Sequence, residues 1–317
     1  MIRDARLAFD LKVIRKNMMA APKYQADLPR VIDLLERWIG EGSGPDGLAW
    51  LREKRQLIAG GAPDWQFFTS FSGAPRFVGK HDLELSEHDR SEAESVRPGW
   101  HPHEWSIDQA ARAALVLSYP TKDRAGYVSA IEQLFSTADV RESVALYRCL
   151  PLLPFPDEFR GRAAEGVRSN ITSVFNAVAH HNPYPAEYFD EGAWNQMILK
   201  ALFVGSPLFP VVGLEKRANP TLARMLVDYA RERWAAHRSV SPELWRLVGP
   251  FAENHLQELA IALESHDEAE REAAALALAA SDSSPAQDLL SRWPDFVARI
   301  RGGDLTWERF ADKIVST

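Results

Sequence analysis

The chain has 317 residues, 46% of them hydrophobic and 26% charged, an ordinary globular composition that argues against a wholly disordered, collagenous or disulfide-scaffold protein. Its formal charge of -7, from 37 Lys+Arg against 44 Asp+Glu, argues against nucleic acid or an anionic membrane as partner, since both bind basic surfaces. The single cysteine, Cys149, excludes an intramolecular disulfide and a Cys-based zinc site and fits a reducing cytoplasm. Residues 1–7 lack the apolar core of a signal peptide, and no run reaches the ~18 apolar residues of a membrane span.

In chain order, the first predicted helix covers 27–39, where Leu28, Val31, Ile32, Leu35, Trp38 and Ile39 recur at intervals of three and four behind Asp27 and Pro29. Residues 60–105 are read as a long ordered loop, because Gly60, Gly61, Pro63, Gly73, Pro75, Gly79, Pro98, Gly99 and Pro102 interrupt any long helix. Within it, 81–94 carries six acids against one Arg, which reads as a solvated face. Ser106 and Gln109 form a capping-box pattern at the next helix start. Helical spacing continues near 123–135, 137–150, 160–181 and 188–204. Asn219-Pro220 and Ser241-Pro242 then place proline at a first helical position after a capping side chain. Further helices are expected near 252–264, 267–280, 285–298 and 304–315, and no convincing period-two strand is found.

The expected fold is therefore all-α, an irregular HEAT-like α-solenoid or a multi-helix bundle. The solenoid reading rests on helix succession, since no repeat period is clean. N-terminal helices over 1–44, a core over 45–250 and a helical extension over 251–317 are expected to pack as one continuous domain, with alanine-rich 260–280 as the candidate subdomain or terminal cap.

Polar residues inside apolar surroundings concentrate between 168 and 238. A single helix over 160–181 would put Asn170 and His181 at the edge of an apolar face. His181 is then a hydrogen-bonded border residue or a ligand contact. The rigid turn Asn182-Pro183-Tyr184-Pro185 either presents an amide and a phenol to a ligand or merely connects helices. The helix up to Val204 is apolar around most of its circumference and so is expected to be buried, with Gln196 and Lys200 on its remaining face. After Pro220, helical projection places Arg233 on the face of Leu222, Met225, Leu226 and Tyr229, with His237 near the edge. An inward guanidinium needs a carboxylate or an anionic ligand. Trp234 and Trp245 are core anchors or an aromatic wall. Walker A, Gly-x-Gly-x-x-Gly, Gly-x-Ser-x-Gly and His-Glu-x-x-His motifs are all missing from the sequence. His101, His103 and Glu104 have metal-ligand chemistry but no defined third partner, so neither a metal nor a cofactor is expected.

Several segments resemble one family. They are Arg168-Ser-Asn170-Ile; the run from Asn182-Pro-Tyr184-Pro through Trp194-Asn195-Gln196 to Lys200-Ala-Leu-Phe203; Gly213-Leu-Glu-Lys-Arg217-Ala-Asn219-Pro220; Tyr229-Ala-Arg-Glu232-Arg233-Trp234-Ala-Ala-His237-Arg238; and Pro242-Glu-Leu-Trp245. Together they are similar to the EboA family over about 45–250. The resemblance implies a cytoplasmic protein encoded in a bacterial metabolite-processing set, beside sugar-phosphate-type enzymes and a prenyltransferase-like membrane protein, and linked to traffic of a small secondary metabolite towards the periplasm. It carries over no catalytic residues.

These readings converge on a metabolite-binding carrier or adaptor that uses Asn170, His181, Asn182, Tyr184, Asn195, Lys200 and Arg233 for polar groups, with His237 beside them and Trp194 and Trp234 covering apolar surface. Its expected partners are a small metabolite and pathway enzymes, including the prenyltransferase-like membrane protein. Two alternatives are an enzyme acting on a prenylated or sugar-derived intermediate, with His181 or Glu232 as acid/base, and a protein-interaction scaffold for pathway enzymes.

Overall fold

A computed structural model describes residues 26–315; residues 1–25 of the expected N-terminal helices lie outside them. Among the described residues the structure is all-α, with no strand and a single antiparallel bridge between Asp82 and Ser106. They fall into two compact units, one ending at Phe189 and one starting at Asp190.

In the first unit, α1 (Leu28–Ala59) starts where the sequence places it, with the Asp27 carboxylate accepting from the Arg30 N–H at 3.3 Å. It breaks at Gly44 (φ 73°) before Pro45, the pair a helix needs in order to turn there. Val31, Leu34, Leu35, Trp38 and Ile39 are buried before the break, and Leu51 and Ile58 after it. The partner of α1 is α5 (Ile107–Val116), which begins at the predicted Ser106/Gln109 capping box and is buried at every residue but Gln109.

Residues 60–105, expected as a long ordered loop, are largely helical instead. They hold α2 (Asp64–Gly73), α3 (Pro75–Val78) and α4 (Glu87–Val96). The interrupting residues are the helix ends themselves: Pro63 and Pro75 open α2 and α3, and Gly79 with φ 94° closes α3. The acidic stretch is also more than a solvated face. Asp89 completes a capping box with Ser86 and accepts from Trp38 Nε1 at 2.9 Å and from Arg37 at 2.7 Å, and Arg37 also binds Glu92. Burial pushes the Asp89 carboxyl up, but the bonds from Ser86, Trp38 and Arg37 outweigh it and hold the group at about 2.

After α6 (Arg124–Thr137) and α7 (Val140–Cys149), the single helix predicted over 160–181 is two: α8 (Arg160–Arg168) and α9 (Thr172–Ala179). Between them Ser169 Oγ accepts from the Ile171 N–H at 3.1 Å, a local bond that competes with helix continuation. The break lets α8 pack on α9 at Gly166, where a Cβ would stand 2.7 Å from Val178 and from the Tyr147 ring. Gly166→Ala should therefore destabilise the protein by about 1–3 kcal/mol, as overpacking does, despite alanine's better helix propensity; urea unfolding measures this, and an unchanged or raised midpoint would be evidence against this packing. The unit closes with α10 (Tyr184–Tyr188). Glu187 on α10 makes a bidentate pair with the fully buried Arg97, at 3.0 and 2.7 Å.

In the second unit, α11 (Glu191–Val204) is capped by Asp190 and stopped by Gly205 at φ 72°. It packs on α12 (Pro220–Ala235), which starts at the predicted Asn219 cap, 2.8 Å from the Leu222 N–H. The predicted Ser241-Pro242 start leads into a 3₁₀ turn and then α13 (Trp245–Val248). Beyond it come α14 (Leu256–Leu263), α15 (Glu268–Ala279), α16 (Ser284–Ser291), α17 (Pro294–Arg301) and α18 (Trp307–Val315).

The alanine-rich helix α15 is central to this unit instead of capping it. Helices α13, α14, α16, α17 and α18 all pack against α15. Ala273, Ala274, Ala275 and Ala277 are fully buried, and small side chains allow that close approach. Glu272 on α15 is also buried, paired with Arg299 at 2.6 Å and Lys313 at 3.0 Å.

Candidate functional site

The ten expected site residues separate into interior, surface and cleft positions. Asn182 is 2% exposed, and its amide is taken by the protein: it donates to the Tyr147 and Ala177 carbonyls and accepts from the Tyr184 N–H. Tyr184 is fully buried, its hydroxyl donating to the Pro156 carbonyl at 2.5 Å. Trp194 is enclosed with the Arg217 guanidinium 5.0 Å from its ring centre, and buried Asn195 exchanges amide hydrogen bonds with Asn219. These four are engaged in packing and in hydrogen bonds within the protein, and Asn182 also borders the small cleft of the first unit. Asn170 lies exposed in the break between α8 and α9, and Lys200 is half-buried on α11. Trp234 stacks on Trp245 at 5.8 Å and donates to Glu270. His181 and Arg233 each line a cleft, one in each unit.

The cleft of the second unit is an open groove of about 520 Å³. One wall is the end of α11, with Leu202, Phe203 and Val204; the other is α12, with Tyr229 and Arg233; the connector 239–242 and Asp267 complete it. The expectation that the apolar circumference of α11 is buried fails here, because Phe203 is 80% exposed and Val204 41%. Arg233 is half-buried and its Nε donates to the Ser239 carbonyl at 2.9 Å. His237, with φ 54°, turns the chain so that this carbonyl comes back to α12, a left-handed backbone that non-glycine residues adopt at some cost. The contribution of His237 is thus made through its main chain; its side chain is exposed. Among the described residues Arg233 makes no ion pair. Phe203 and Asp267 were not singled out by the sequence as groove residues. The signal for Phe203 is a helix apolar around most of its circumference, more apolar surface than a helix bordering a groove can bury.

The cleft of the first unit is small, with space for about one water-sized body (≈ 10 Å³), and is lined by His101, Glu104, Trp105, Arg148, His180, His181 and Asn182. His103 and Glu104 ride on the 3₁₀ turn Pro102–Glu104, while His181 follows α9 in a left-handed conformation, φ 52°. The ring centres of His103 and His181 are 4.5 Å apart, and His101 lies 6.4 and 6.0 Å from them. Glu104 Oε1 faces His181 Nε2 at 3.4 Å and His103 Nε2 at 3.9 Å, while Oε2 meets Arg148 at 3.4 Å. The facing His181 imidazole, helped by Arg148 and His103, holds the Glu104 carboxyl at about 2 against the effect of burial. Burial lowers the pKa of His101 and His103 below the ordinary histidine value, and His181 lowers both further. The third partner that the sequence could not supply for His103 and Glu104 is thus His181, nearly eighty residues along the chain.

No helix among the described residues is long and apolar enough to cross a membrane. No curated protein and no solved structure matches the chain. Residues 31–249 match the family described as metabolite traffic protein EboA, a span that takes in nearly all of α1, then α2 through α12, and every residue of both clefts except Asp267. The chain belongs to the EboA family of metabolite traffic proteins.

Proposed function

We propose that this protein serves metabolite traffic as a carrier or adaptor that binds a small amphiphilic metabolite in the groove of its second unit. The observation that carries the reading is the pairing of an exposed Phe203 with a half-buried Arg233 that has no carboxylate partner among the described residues, on walls of one groove of about 520 Å³. That volume is within the range of small-molecule sites, which combine apolar walls with a few placed polar groups. Arg233 is preorganised through Nε, leaving the terminal nitrogens of its guanidinium for a carboxylate or phosphate. Phe203, Leu202 and Tyr229 supply apolar contact for the rest of the ligand.

An anionic aromatic probe, 1-anilinonaphthalene-8-sulfonate, should bind this groove with enhanced fluorescence. Arg233→Ala should weaken its binding about ten- to a hundredfold, the worth of a charge-assisted hydrogen bond. Phe203→Ser should weaken it through lost apolar contact. Wild-type affinity in both variants would remove the groove as the ligand site and favour a protein-interaction scaffold.

A further inference from the structure

The cleft of the first unit carries a separate assignment, independent of the groove. We propose that His103, Glu104 and His181 form a binding site for a divalent transition-metal ion of the zinc class. One donor atom from each of the three residues lies within 4.8 Å of the others, and Glu104 Oε1 is already 3.4 and 3.9 Å from the two Nε2 atoms. Donors around a tetrahedral ion at 2.0–2.2 Å stand about 3.3–3.6 Å apart, so modest side-chain rotation closes the set. Two imidazoles and one carboxylate suit zinc, cobalt, nickel or ferrous iron over magnesium or calcium, which take oxygen ligands.

The surroundings are those of a positioned ligand set. Arg148 holds Glu104 Oε2 at 3.4 Å and donates to Gln109 Oε1 at 2.8 Å, which leaves Oε1 directed at the histidines. His181 keeps an unfavourable left-handed backbone because the next residue, Asn182, is anchored by three hydrogen bonds to main-chain atoms. The water-sized space beside His101 and Arg148 leaves a fourth position for water or a ligand oxygen, as in open zinc sites.

The test uses the full chain without an affinity tag, titrated with Zn²⁺ by calorimetry and with Co²⁺ by visible absorption. One equivalent of metal should bind, and bound Co²⁺ should show ligand-field bands of nitrogen and oxygen coordination. His103→Gln and His181→Asn should each lower affinity at least about tenfold, whereas His88→Gln, on an exposed part of α4, should leave it unchanged. Asparagine is chosen at 181 because it tolerates the left-handed conformation, and circular dichroism checks that each variant is folded. Failure of the wild-type chain to bind either ion saturably, or unchanged affinity in both His103→Gln and His181→Asn, would overturn the assignment.

Discussion

Arg97→Met is expected to destabilise the protein by about 3 kcal/mol or more, with a large drop in the urea midpoint. The Arg97 side chain is fully buried, and its guanidinium donates to the Pro151 and Pro98 carbonyls as well as to both oxygens of Glu187. Methionine fills much of the same volume but strands a carboxylate and a buried carbonyl. Breaking a buried pair from one side costs about 3–5 kcal/mol. Glu187 is 20% exposed and can recover some hydration, so the lower end applies. Arg97→Lys should restore little, because one ammonium cannot reproduce a bidentate fork. In a double-mutant cycle, Arg97→Met with Glu187→Met should lose less than the sum of the singles. Additive losses would mean that the pair does not act as a unit.

Trp245→Ala should cost about 3–5 kcal/mol, the usual range for removing a large buried aromatic. Trp245 on α13 is fully buried, stacks on Trp234 of α12, and belongs to a helix that packs on both α12 and α15. Its loss therefore opens a cavity where three helices of the second unit meet. Trp245→Phe, which keeps part of the stack, should lose distinctly less. Urea unfolding followed by far-UV circular dichroism measures both variants. A loss below about 1 kcal/mol for the alanine change would show that Trp245 does not hold these helices together.

The helix starts were the most legible part of the fold, because capping is local chemistry: Asp27, Ser106 with Gln109, and Asn219-Pro220 each open a helix where their side chains indicate. The same local signals misled at 60–105, where prolines and glycines at helix ends look like those of a loop once the helices shorten to ten residues or fewer. Ser169 split a helix that its hydrophobic period made continuous.

The candidate sites were legible by residue type and not by geometry. The sequence picked out Arg233 as an anomaly on an apolar face, and the groove beside it came from the exposed end of α11, which periodicity places in the core. Asn182 and Tyr184 carry the polarity of ligand contacts, but the backbone consumes it. Helical periodicity by itself places His181 only at a helix edge. Its meeting with His103 and Glu104 depends on a tertiary contact that spacing along the chain does not encode.

The central claim is that the groove at Arg233 holds a small molecule. Native mass spectrometry of the full chain, isolated from its own cells alongside Arg233→Ala, tests it most directly. A discrete small-molecule adduct is expected on the wild type and is expected to be lost or sharply reduced in the variant. Bare wild-type protein, or an adduct that Arg233→Ala retains in full, would contradict it.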